Sequence, residues 1–258
     1  MATIGGVCFI FNRNLFKMAD SEGAEKVLFV FDFDHTLIDD NCDTYAMNVA
    51  PQLNLIEKVH EMRKEFTLWI TMMNYVMKAQ YEHGSKPEDV LRVMKEIDLI
   101  GPMKRTLEKI KEHPLVDAII VSDANSFFIR AILENHNLAD VFKTIHTNPA
   151  CFNESGCLEI SHYHAHCCTR CRKTPNMCKG LIMHSIAEER STYSRIVYVG
   201  DGSNDYCAAM HLSPRDHVVA RTGYGLAKRI AAEKPPPSFN VIDFTDPQAA
   251  VLLQSLMP

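Results

Sequence analysis

The chain has no long apolar run and no excess of basic residues. Without an uninterrupted apolar stretch of about 18 residues, no transmembrane helix is expected. Lys and Arg number 27 against 32 Asp and Glu, which gives a formal charge of −5. General nucleic-acid binding depends on basic residues that neutralise phosphates. We therefore expect no nucleic-acid partner and no membrane partner, and the sequence leaves the oligomeric state open.

The amino-terminal segment lacks the order of charges that defines a secretory signal. Arg13 and Lys17 follow the apolar run of residues 7–11, whereas a signal peptide places its positive charge before such a run. Residues 1–19 contain no acid, but they are poorer in Arg and Ser than a mitochondrial leader. We expect residues 1–24 to be a flexible leader of a cytoplasmic protein, with organellar targeting as the alternative.

The overall composition is that of a globular protein. Of 258 residues, 47% are apolar and 23% are charged, which excludes disordered, collagen-like and coiled-coil chains. A chain of this length buries about 70–75% of its unfolded surface, so it needs no disulfide or metal to hold a core. The nine cysteines are therefore predicted to be reduced thiols or metal ligands.

Short apolar runs recur along the chain, with helical patterns between them. Their β-branched and aromatic residues are typical of strands buried on both faces of a parallel sheet. The predicted strands are residues 26–31, 117–123, 142–147, 195–201, 217–220 and 240–244. Helices are predicted over 125–134 and 179–190, and a small hairpin over 151–160. This alternation predicts an α/β fold with a doubly wound, mostly parallel sheet.

The segment between the first two predicted strands breaks the alternation. It contains no convincing strand, and its first half is rich in Met, Leu, Lys and Glu. Ser85 and Glu88 have the spacing of a helix capping box, and apolar residues follow at helical spacing. We predict a small helical cap over residues 42–98, inserted into a core formed by residues 25–41 and 99–258.

Two pairs of acids follow predicted strands. Asp32 and Asp34 come at the carboxyl end of the first strand, where open α/β sheets bind ligands. Asp201 and Asp205 follow the fourth strand, within the glycine-containing loop GDGSND. Neighbouring carboxylates repel each other unless a cation or a proton lies between them. A few hard oxygen ligands predict a Mg²⁺ site, and the alternative is a set of solvated acids at turns.

Ser122 and Lys179 complete a candidate anion site. Ser122 ends the second predicted strand just before the helix that begins at Asn125, and a hydroxyl with helix amides can hold a phosphate. Lys179 precedes a helical pattern and can supply a point charge to phosphate oxygens. A single lysine is usually a solvated residue, but together with three strand ends it predicts phosphate binding.

Four motifs in this order resemble the haloacid-dehalogenase superfamily of phosphotransferases: DFDHT, IIVSDAN, Lys179 and GDGSND. The resemblance spans residues 26–225, and the helical insert is similar to that superfamily's cap. Longer segments, among them FDFDHTLIDDNCDT and HTNPACFN, are similar to the family of phosphoethanolamine/phosphocholine phosphatase and pyridoxal-phosphate phosphatase. Within that family, both segments are more similar to the pyridoxal-phosphate phosphatase.

The resemblance implies a role for each motif residue. Asp32 is expected to be the nucleophile that attacks phosphorus to give an aspartyl-phosphate. Asp34 is expected to protonate the leaving alcohol and then to activate water. The implied phosphate-binding residues are Thr36, Ser122 and Lys179. The implied Mg²⁺ ligands are Asp32, the carbonyl group of Asp34 and Asp201, with Asp205 as a ligand or a close neighbour.

The implied function is the Mg²⁺-dependent hydrolysis of a small phosphomonoester, by a phosphoric monoester hydrolase. The expected substrate is pyridoxal phosphate, phosphoethanolamine or phosphocholine. A first alternative is a phosphotransferase or mutase that uses the same intermediate. A second is a non-enzymatic protein that uses the histidine- and cysteine-rich loop to bind a metal or a partner.

Asp43 and Asp123 lie near the predicted site, yet neither helps to bind a phosphate. Each adds negative charge to an anionic site, which is explained if the substrate carries a cation a few ångströms from its phosphate. Phosphoethanolamine and phosphocholine carry such a cation, and pyridoxal phosphate has a ring nitrogen that can be protonated. The alternative is that both acids are solvated or cap helices.

A loop rich in histidine and cysteine precedes Lys179. Its C-x2-C-x6-C spacing is two residues longer than the C-x2-C-x4-C of the family that it resembles. Zinc favours four nitrogen or sulfur ligands, so the loop is a candidate zinc site, although its spacings match no single zinc motif. The other interpretation is a partly buried loop of reduced thiols with hydrogen-bonded histidines. The candidate ligands are His164, His166, Cys168, Cys171 and Cys178. The isolated Cys8, Cys42 and Cys207 are predicted to be core thiols.

Overall fold

The computed structural model describes residues 25–63, 68–171, 176–188 and 190–258. The predicted leader and Cys8 lie outside these ranges. The strands are β1 (Val27–Phe31), β2 (Val116–Asn125), β3 (Phe142–Asn148), β4 (Ala150–Phe152), β5 (Leu158–Ile160), β6 (Arg195–Gly200), β7 (His217–Arg221) and β8 (Asn240–Phe244). The helices are α1 (Cys42–Tyr45), α2 (Leu55–Met62), α3 (Trp69–Glu82), α4 (Pro87–Met94), α5 (Gly101–Glu112), α6 (Ser126–Asn135), α7 (Lys179–Glu188), α8 (Asp205–Ala209), α9 (Gly225–Ala232) and α10 (Asp246–Ser255).

Six strands form one parallel sheet in the order β3-β2-β1-β6-β7-β8. Successive residues of β1 enter two separate cores, because side chains alternate between the faces of a strand. Val27, Phe29 and Phe31 lie in one core, and Leu28 and Val30 lie in the other. The α/β prediction is confirmed, and each predicted strand of the sheet is present.

Helices cover both faces of this sheet. Helices α5, α6 and α10 pack into the core that contains Phe29, and α7, α8 and α9 pack into the core that contains Val30. The strand order places β1 in the middle of the sheet, between β2 and β6. The carboxyl ends of these three strands therefore lie side by side at one end of the sheet. At this point the helical connections change from one face of the sheet to the other. No helix of the described residues is long and apolar enough to span a membrane.

The segment between β1 and β2 contains helices α1 to α4 and two short 3₁₀ helices ahead of α5, joined by turns and loops. Ile38 and Leu99 form an isolated antiparallel bridge where the chain leaves and re-enters the sheet region. In α3, Met72, Met73 and Met77 are buried, as expected for packing residues. The cap boundaries at residues 42 and 98 stay a prediction.

The hairpin formed by β4 and β5 confirms the prediction over 151–160. Asn74 of α3 joins this hairpin to the helical segment, since its Nδ2 donates to the Ile160 carbonyl and its Oδ1 accepts from the Ile160 amide, both at 2.8 Å. Such a two-sided amide contact satisfies backbone groups that would otherwise be unpaired at the edge of a short strand.

The predicted capping box of Ser85 and Glu88 is displaced by one residue. The N-cap of α4 is Lys86, with an extended backbone, and its amide donates to Asp89 Oδ2 at 2.9 Å. Pro87 explains the shift, because the residue before a proline is disfavoured in the helical region. Lys86 must therefore remain outside the helix, and Pro87 becomes its first residue.

Candidate active site

The carboxyl ends of β1, β2 and β6 bring the predicted motifs together. Asp32 directly follows β1, and Asp201 directly follows β6. Ser122 lies in the carboxyl-terminal half of β2. Lys179 and Asp205 are the first residues of α7 and α8. All five side chains are buried. The parallel sheet thus gathers residues that are separated by more than a hundred positions in sequence.

Lys179 is the positive centre of the site. Its Nζ lies 2.7 Å from Asp32 Oδ2 and 2.7 Å from Asp205 Oδ1, and its side chain is 1% exposed. Burial alone lowers the pKa of Lys179, but the carboxylates of Asp205 and Asp32 raise it above its usual range. The ammonium therefore stays protonated, and it presents a fixed positive charge beside Asp32.

Asp32, Asp201 and Asp205 form an acidic cluster in which one carboxylate oxygen of each lies within 4.8 Å of the others. Burial, followed by the charge of Asp205, raises the pKa of Asp32 well above its usual value, although Lys179 acts in the opposite direction. Burial and Asp205 likewise raise the pKa of Asp201 to about 7. A cation between these groups favours their ionised forms, and buried carboxylate oxygens are the ligands of a hard divalent cation.

Both oxygens of Asp205 already have partners. Oδ1 accepts from Lys179 Nζ and from the Tyr198 hydroxyl, each at 2.7 Å. Oδ2 accepts from the amides of Asp201 and Gly202 at 3.1 and 2.8 Å. Asp205 accepts four such hydrogen bonds and therefore shapes the loop and positions Lys179. Asp32 and Asp201 accept fewer, so they are the acids best able to bind a metal directly.

Asp34 lies outside the acidic cluster. Its carboxylate accepts from Asn41 Nδ2 at 3.0 Å and from the Cys42 amide at 3.1 Å, at the start of the helical segment. Burial and the charge of Asp43 raise the pKa of Asp34 to about 8. The raised pKa favours the protonated form of Asp34, which is the form that a general acid requires. Its carbonyl group as a Mg²⁺ ligand stays a prediction.

Thr36 and Ser122 flank the cluster. The Thr36 hydroxyl donates to Asp201 Oδ1 at 3.3 Å, and the Ser122 hydroxyl accepts from the Ala124 amide at 3.3 Å. The next helix begins close to Ser122, because the side chain of Asn125 caps α6 by accepting from the Phe128 amide at 3.0 Å. The phosphate-binding roles of Thr36 and Ser122 stay predictions.

The Putative Phosphatase family matches residues 27–256 of the chain. The chain belongs to this family. Pyridoxal phosphate phosphatase PHOSPHO2 of Mus musculus is 38% identical over 211 residues, which are 80% of this chain and 86% of that protein. The phosphoethanolamine/phosphocholine phosphatase of Homo sapiens is 32% identical over 224 residues, which are 84% and 83% of the two chains.

A solved structure of phosphoserine phosphatase in its apo form has the same fold as this member of the Putative Phosphatase family. It aligns with a TM-score of 0.58 and 16% identity, over 91% of this chain and 100% of that chain. The resemblance to haloacid-dehalogenase phosphatases is confirmed, and so is the prediction that the chain is a phosphatase. The acidic cluster of Asp32, Asp201 and Asp205 supplies carboxylate ligands that suit a divalent metal.

Asp43 is buried on the side of the site that faces the helical segment. Its Oδ2 accepts from Trp69 Nε1 at 2.6 Å, and its Oδ1 accepts from Asn125 Nδ2 at 3.4 Å. Burial raises the pKa of Asp43 to about 6. The alternative that Asp43 is solvated or is a helix cap is wrong, because Asn41 is the N-cap of α1. Asp123 is half-buried within β2 and is not an N-cap either.

The cysteine-rich loop differs from its predicted arrangement. The sulfur atoms of Cys168, Cys171 and Cys178 lie together with that of Cys207, and all four are within 4.8 Å of one another. Cys207 is buried, but it is not an isolated core thiol as predicted. The two additional residues of the loop lie in the span that includes residues 172–175, which are outside the described residues, and Cys171 still reaches Cys178 at 3.3 Å between sulfurs.

The two predicted histidine ligands are not part of the sulfur cluster. His164 Nε2 accepts from the Cys178 amide at 3.0 Å, and His166 Nδ1 accepts from the Cys168 amide at 3.3 Å. Cys207 lies in α8, two residues after Asp205, and α8 packs against α7. Sequence spacing could not assign it, because that packing depends on the crossing of two helices and not on any local pattern.

Proposed function

We propose that the protein hydrolyses a small phosphomonoester, with Mg²⁺ as cofactor, through an aspartyl-phosphate on Asp32. The observation that carries the proposal is the buried contact of 2.7 Å between Asp32 Oδ2 and Lys179 Nζ, at the edge of the sheet where Asp201 also lies. A carboxylate and a phosphate ester repel each other, so the attack requires fixed positive charge at this point. Lys179 provides such a charge, and bound Mg²⁺ would supply a second one.

The reaction takes two displacements at phosphorus. Asp32 forms a bond to phosphorus while the bond to the substrate alcohol breaks, and Asp34 gives its proton to the leaving oxygen. Asp34, now a carboxylate, then takes a proton from water as the water oxygen attacks phosphorus and the bond to Asp32 breaks. The products are the alcohol and inorganic phosphate, and both acids return to their initial states.

The acids Asp43 and Asp123 support a substrate that carries a positive charge. Asp43 raises the pKa of Asp34 by its charge, and Asp123 contributes in the same direction to the pKa values of Asp34 and Asp43. With Mg²⁺ bound beside Lys179, the site would have a positive side at Lys179 and a negative side next to the helical segment. A molecule with a phosphate at one end and a cation at the other would match both sides of the site. Pyridoxal phosphate, phosphoethanolamine and phosphocholine are molecules of this kind.

Removal of the metal tests the cofactor. We expect that chelation by EDTA abolishes phosphate release and that Mg²⁺ restores it. In Asp201→Asn, the Mg²⁺ concentration for half-maximal activity should rise by about 10–100-fold, since even outer groups of a metal site have effects of this size. The matched control is Asp98→Asn, in which the exposed side chain of Asp98 lies away from the cluster. Full activity in excess EDTA would contradict the proposal.

A second prediction concerns the choice of substrate. Asp43→Asn and Asp123→Asn should each raise KM for phosphoethanolamine or pyridoxal phosphate by about tenfold, the value of one lost charge interaction at a desolvated site. The KM for glycerol phosphate should change less, because that substrate has no cation. Equal changes for both classes of substrate, or a parent enzyme that prefers glycerol phosphate, would show that these acids do not recognise a cation.

Product analysis separates hydrolysis from transfer by the same intermediate. Hydrolysis yields free phosphate in amounts equal to the alcohol, whereas a phosphotransferase or mutase yields a phosphorylated acceptor.

We also propose that the enzyme acts in the cytoplasm. Support comes from Cys168, Cys171, Cys178 and Cys207, whose sulfurs lie close together without forming a disulfide, since thiols remain reduced in that compartment.

A further inference from the structure

Four cysteine sulfurs meet at the junction of α7 and α8, and one of these cysteines immediately precedes Lys179 in sequence. Cys168 and Cys171 come from the loop, Cys178 immediately precedes α7, and Cys207 lies within α8. We propose that these four residues bind one Zn²⁺ in a tetrathiolate site, which fixes the start of α7 against α8. This set replaces the mixed histidine and cysteine set that the sequence predicted.

The distances in the cluster are those of a metal site. Zinc–sulfur bonds of about 2.3 Å in a tetrahedron place the sulfurs about 3.8 Å apart. The observed separations are 3.3 Å for Cys171 and Cys178, 3.6 Å for Cys168 and Cys207, and 3.9 Å for Cys178 and Cys207. A disulfide would require about 2.05 Å between sulfurs, and no pair of the cluster is that close.

The ligand spacing also fits zinc. Cys168 and Cys171 form the C-x2-C pair that is common in structural zinc sites, and the other two ligands come from separate points of the chain. Four sulfurs complete a tetrahedron, so this site has no open position for a substrate or water. Its role is therefore structural, in contrast to the oxygen-rich cluster of Asp32 and Asp201.

The two histidines support the loop through the peptide groups next to the ligands. His166 accepts the Cys168 amide at Nδ1, which leaves a proton on Nε2 for the Asn176 carbonyl, 2.6 Å away. His164 accepts the Cys178 amide at Nε2. In metal sites, hydrogen bonds of this kind orient the ligands. They also occupy both ring nitrogens of His166 and Nε2 of His164, and neither ring belongs to the sulfur cluster.

Gly180 allows the two helices to approach at this point. A Cβ atom at this residue would lie 2.4 Å from Cys207 Sγ and 2.9 Å from the Cys207 carbonyl oxygen. Real Cβ atoms do not come so close to other atoms. The start of α7 thus packs directly on the backbone of α8, and the sulfur cluster closes the gap between the loop and both helices.

The position of the cluster connects it with the active site. Cys178 precedes Lys179, and Cys207 follows Asp205 by two residues, so the zinc ligands border both partners of the buried Lys179–Asp205 ion pair. Loss of the metal should let the start of α7 move, and with it the ammonium that faces Asp32. This consequence for activity rests on the proposed function, whereas the metal content does not.

The test is the metal content of the full chain, purified without added metal and dialysed. Elemental analysis should give about one zinc per chain in the parent protein, as expected for a structural site that is coupled to folding. Cys207→Ser and Cys171→Ser should each lower the zinc content by at least about tenfold. Cys167→Ser is the matched control, because Cys167 is exposed beside Cys168 and lies outside the cluster, and it should retain zinc.

Cobalt provides a test that does not depend on the folding of a variant. Exchange of the bound metal of the parent protein for Co²⁺ should give the strong thiolate-to-cobalt charge-transfer absorption of a tetrahedral sulfur site, and Zn²⁺ should abolish it. A thiol-specific mercurial should release one zinc per chain. His164→Ala should keep its zinc, since His164 is outside the cluster.

Two results would overturn the proposal. One is a folded parent protein that contains no zinc, binds none and has four cluster thiols that react freely. The other is a Cys207→Ser variant that keeps its zinc while His164→Ala loses it. If zinc is present and lost as expected but no phosphomonoester is hydrolysed, the zinc site stands and the proposed function fails.

Discussion

Replacing Asp32 with asparagine is expected to lower kcat for any phosphomonoester by about 10⁴–10⁶-fold, as is found when a covalent nucleophile is removed. The amide has the same shape as the carboxylate, but it does not attack phosphorus. Its neutral side chain also removes one of the two charges that face Lys179. The expected effect is therefore on turnover, and the measurement is the steady-state release of phosphate.

The fold of Asp32→Asn should be preserved. Lys179 keeps its contact of 2.7 Å with Asp205, and the variant has one fewer carboxylate in a buried acidic cluster. We expect a melting temperature no lower than that of the parent protein. Asp40→Asn serves as the matched control, because Asp40 is an exposed acid of the same segment, and it should retain normal turnover. Near-normal activity of Asp32→Asn would exclude an aspartyl-phosphate at this residue.

Replacing Asp34 with asparagine should lower kcat by about 10²–10⁴-fold for an alkyl phosphate, through the loss of proton transfer. The effect on formation of the intermediate should be smaller for p-nitrophenyl phosphate, whose leaving group needs no proton. Hydrolysis of the intermediate should remain slow with both substrates, because Asp34 also activates water. Rapid-mixing measurements should therefore show a burst of p-nitrophenol followed by slow turnover.

The control for this prediction is Asn41→Ala, which removes the side chain that donates to Asp34 Oδ2 but leaves the carboxyl group. Turnover should fall much less than in Asp34→Asn. If Asp34→Asn slows both substrates equally, shows no burst, and Asn41→Ala does the same, Asp34 is a structural residue and not a proton donor.

The arrangement of the main site could be predicted from sequence because it depends on strand ends. Each buried strand is a short apolar run, and parallel strands bring their carboxyl ends to one edge. Asp32, Ser122 and Asp201 follow from that rule alone. The contact between Lys179 and Asp205 depends on how α7 and α8 pack, and no sequence pattern predicted it.

The parts that sequence could not predict depend on contacts between distant side chains. The hydrogen bond from Trp69 to Asp43 requires the fold of the helical segment, which joins residues 26 positions apart. The inclusion of Cys207 in the sulfur cluster requires the close approach of α8 to Gly180. The start of α4 was misplaced for a local reason, since the effect of Pro87 on Lys86 outweighed the pattern of the capping box.

The most direct test of the account is to trap the phosphoryl group on the enzyme. Asp34→Asn, loaded with Mg²⁺ and mixed with p-nitrophenyl phosphate, would be quenched in acid, digested and analysed by mass spectrometry. We predict a phosphoryl group on the peptide that contains Asp32, released by hydroxylamine as acyl phosphates are, and absent when Asp32 is also replaced by asparagine. A phosphoryl group on another residue, or single-turnover release of phosphate with no phosphorylated enzyme at any time, would contradict the account.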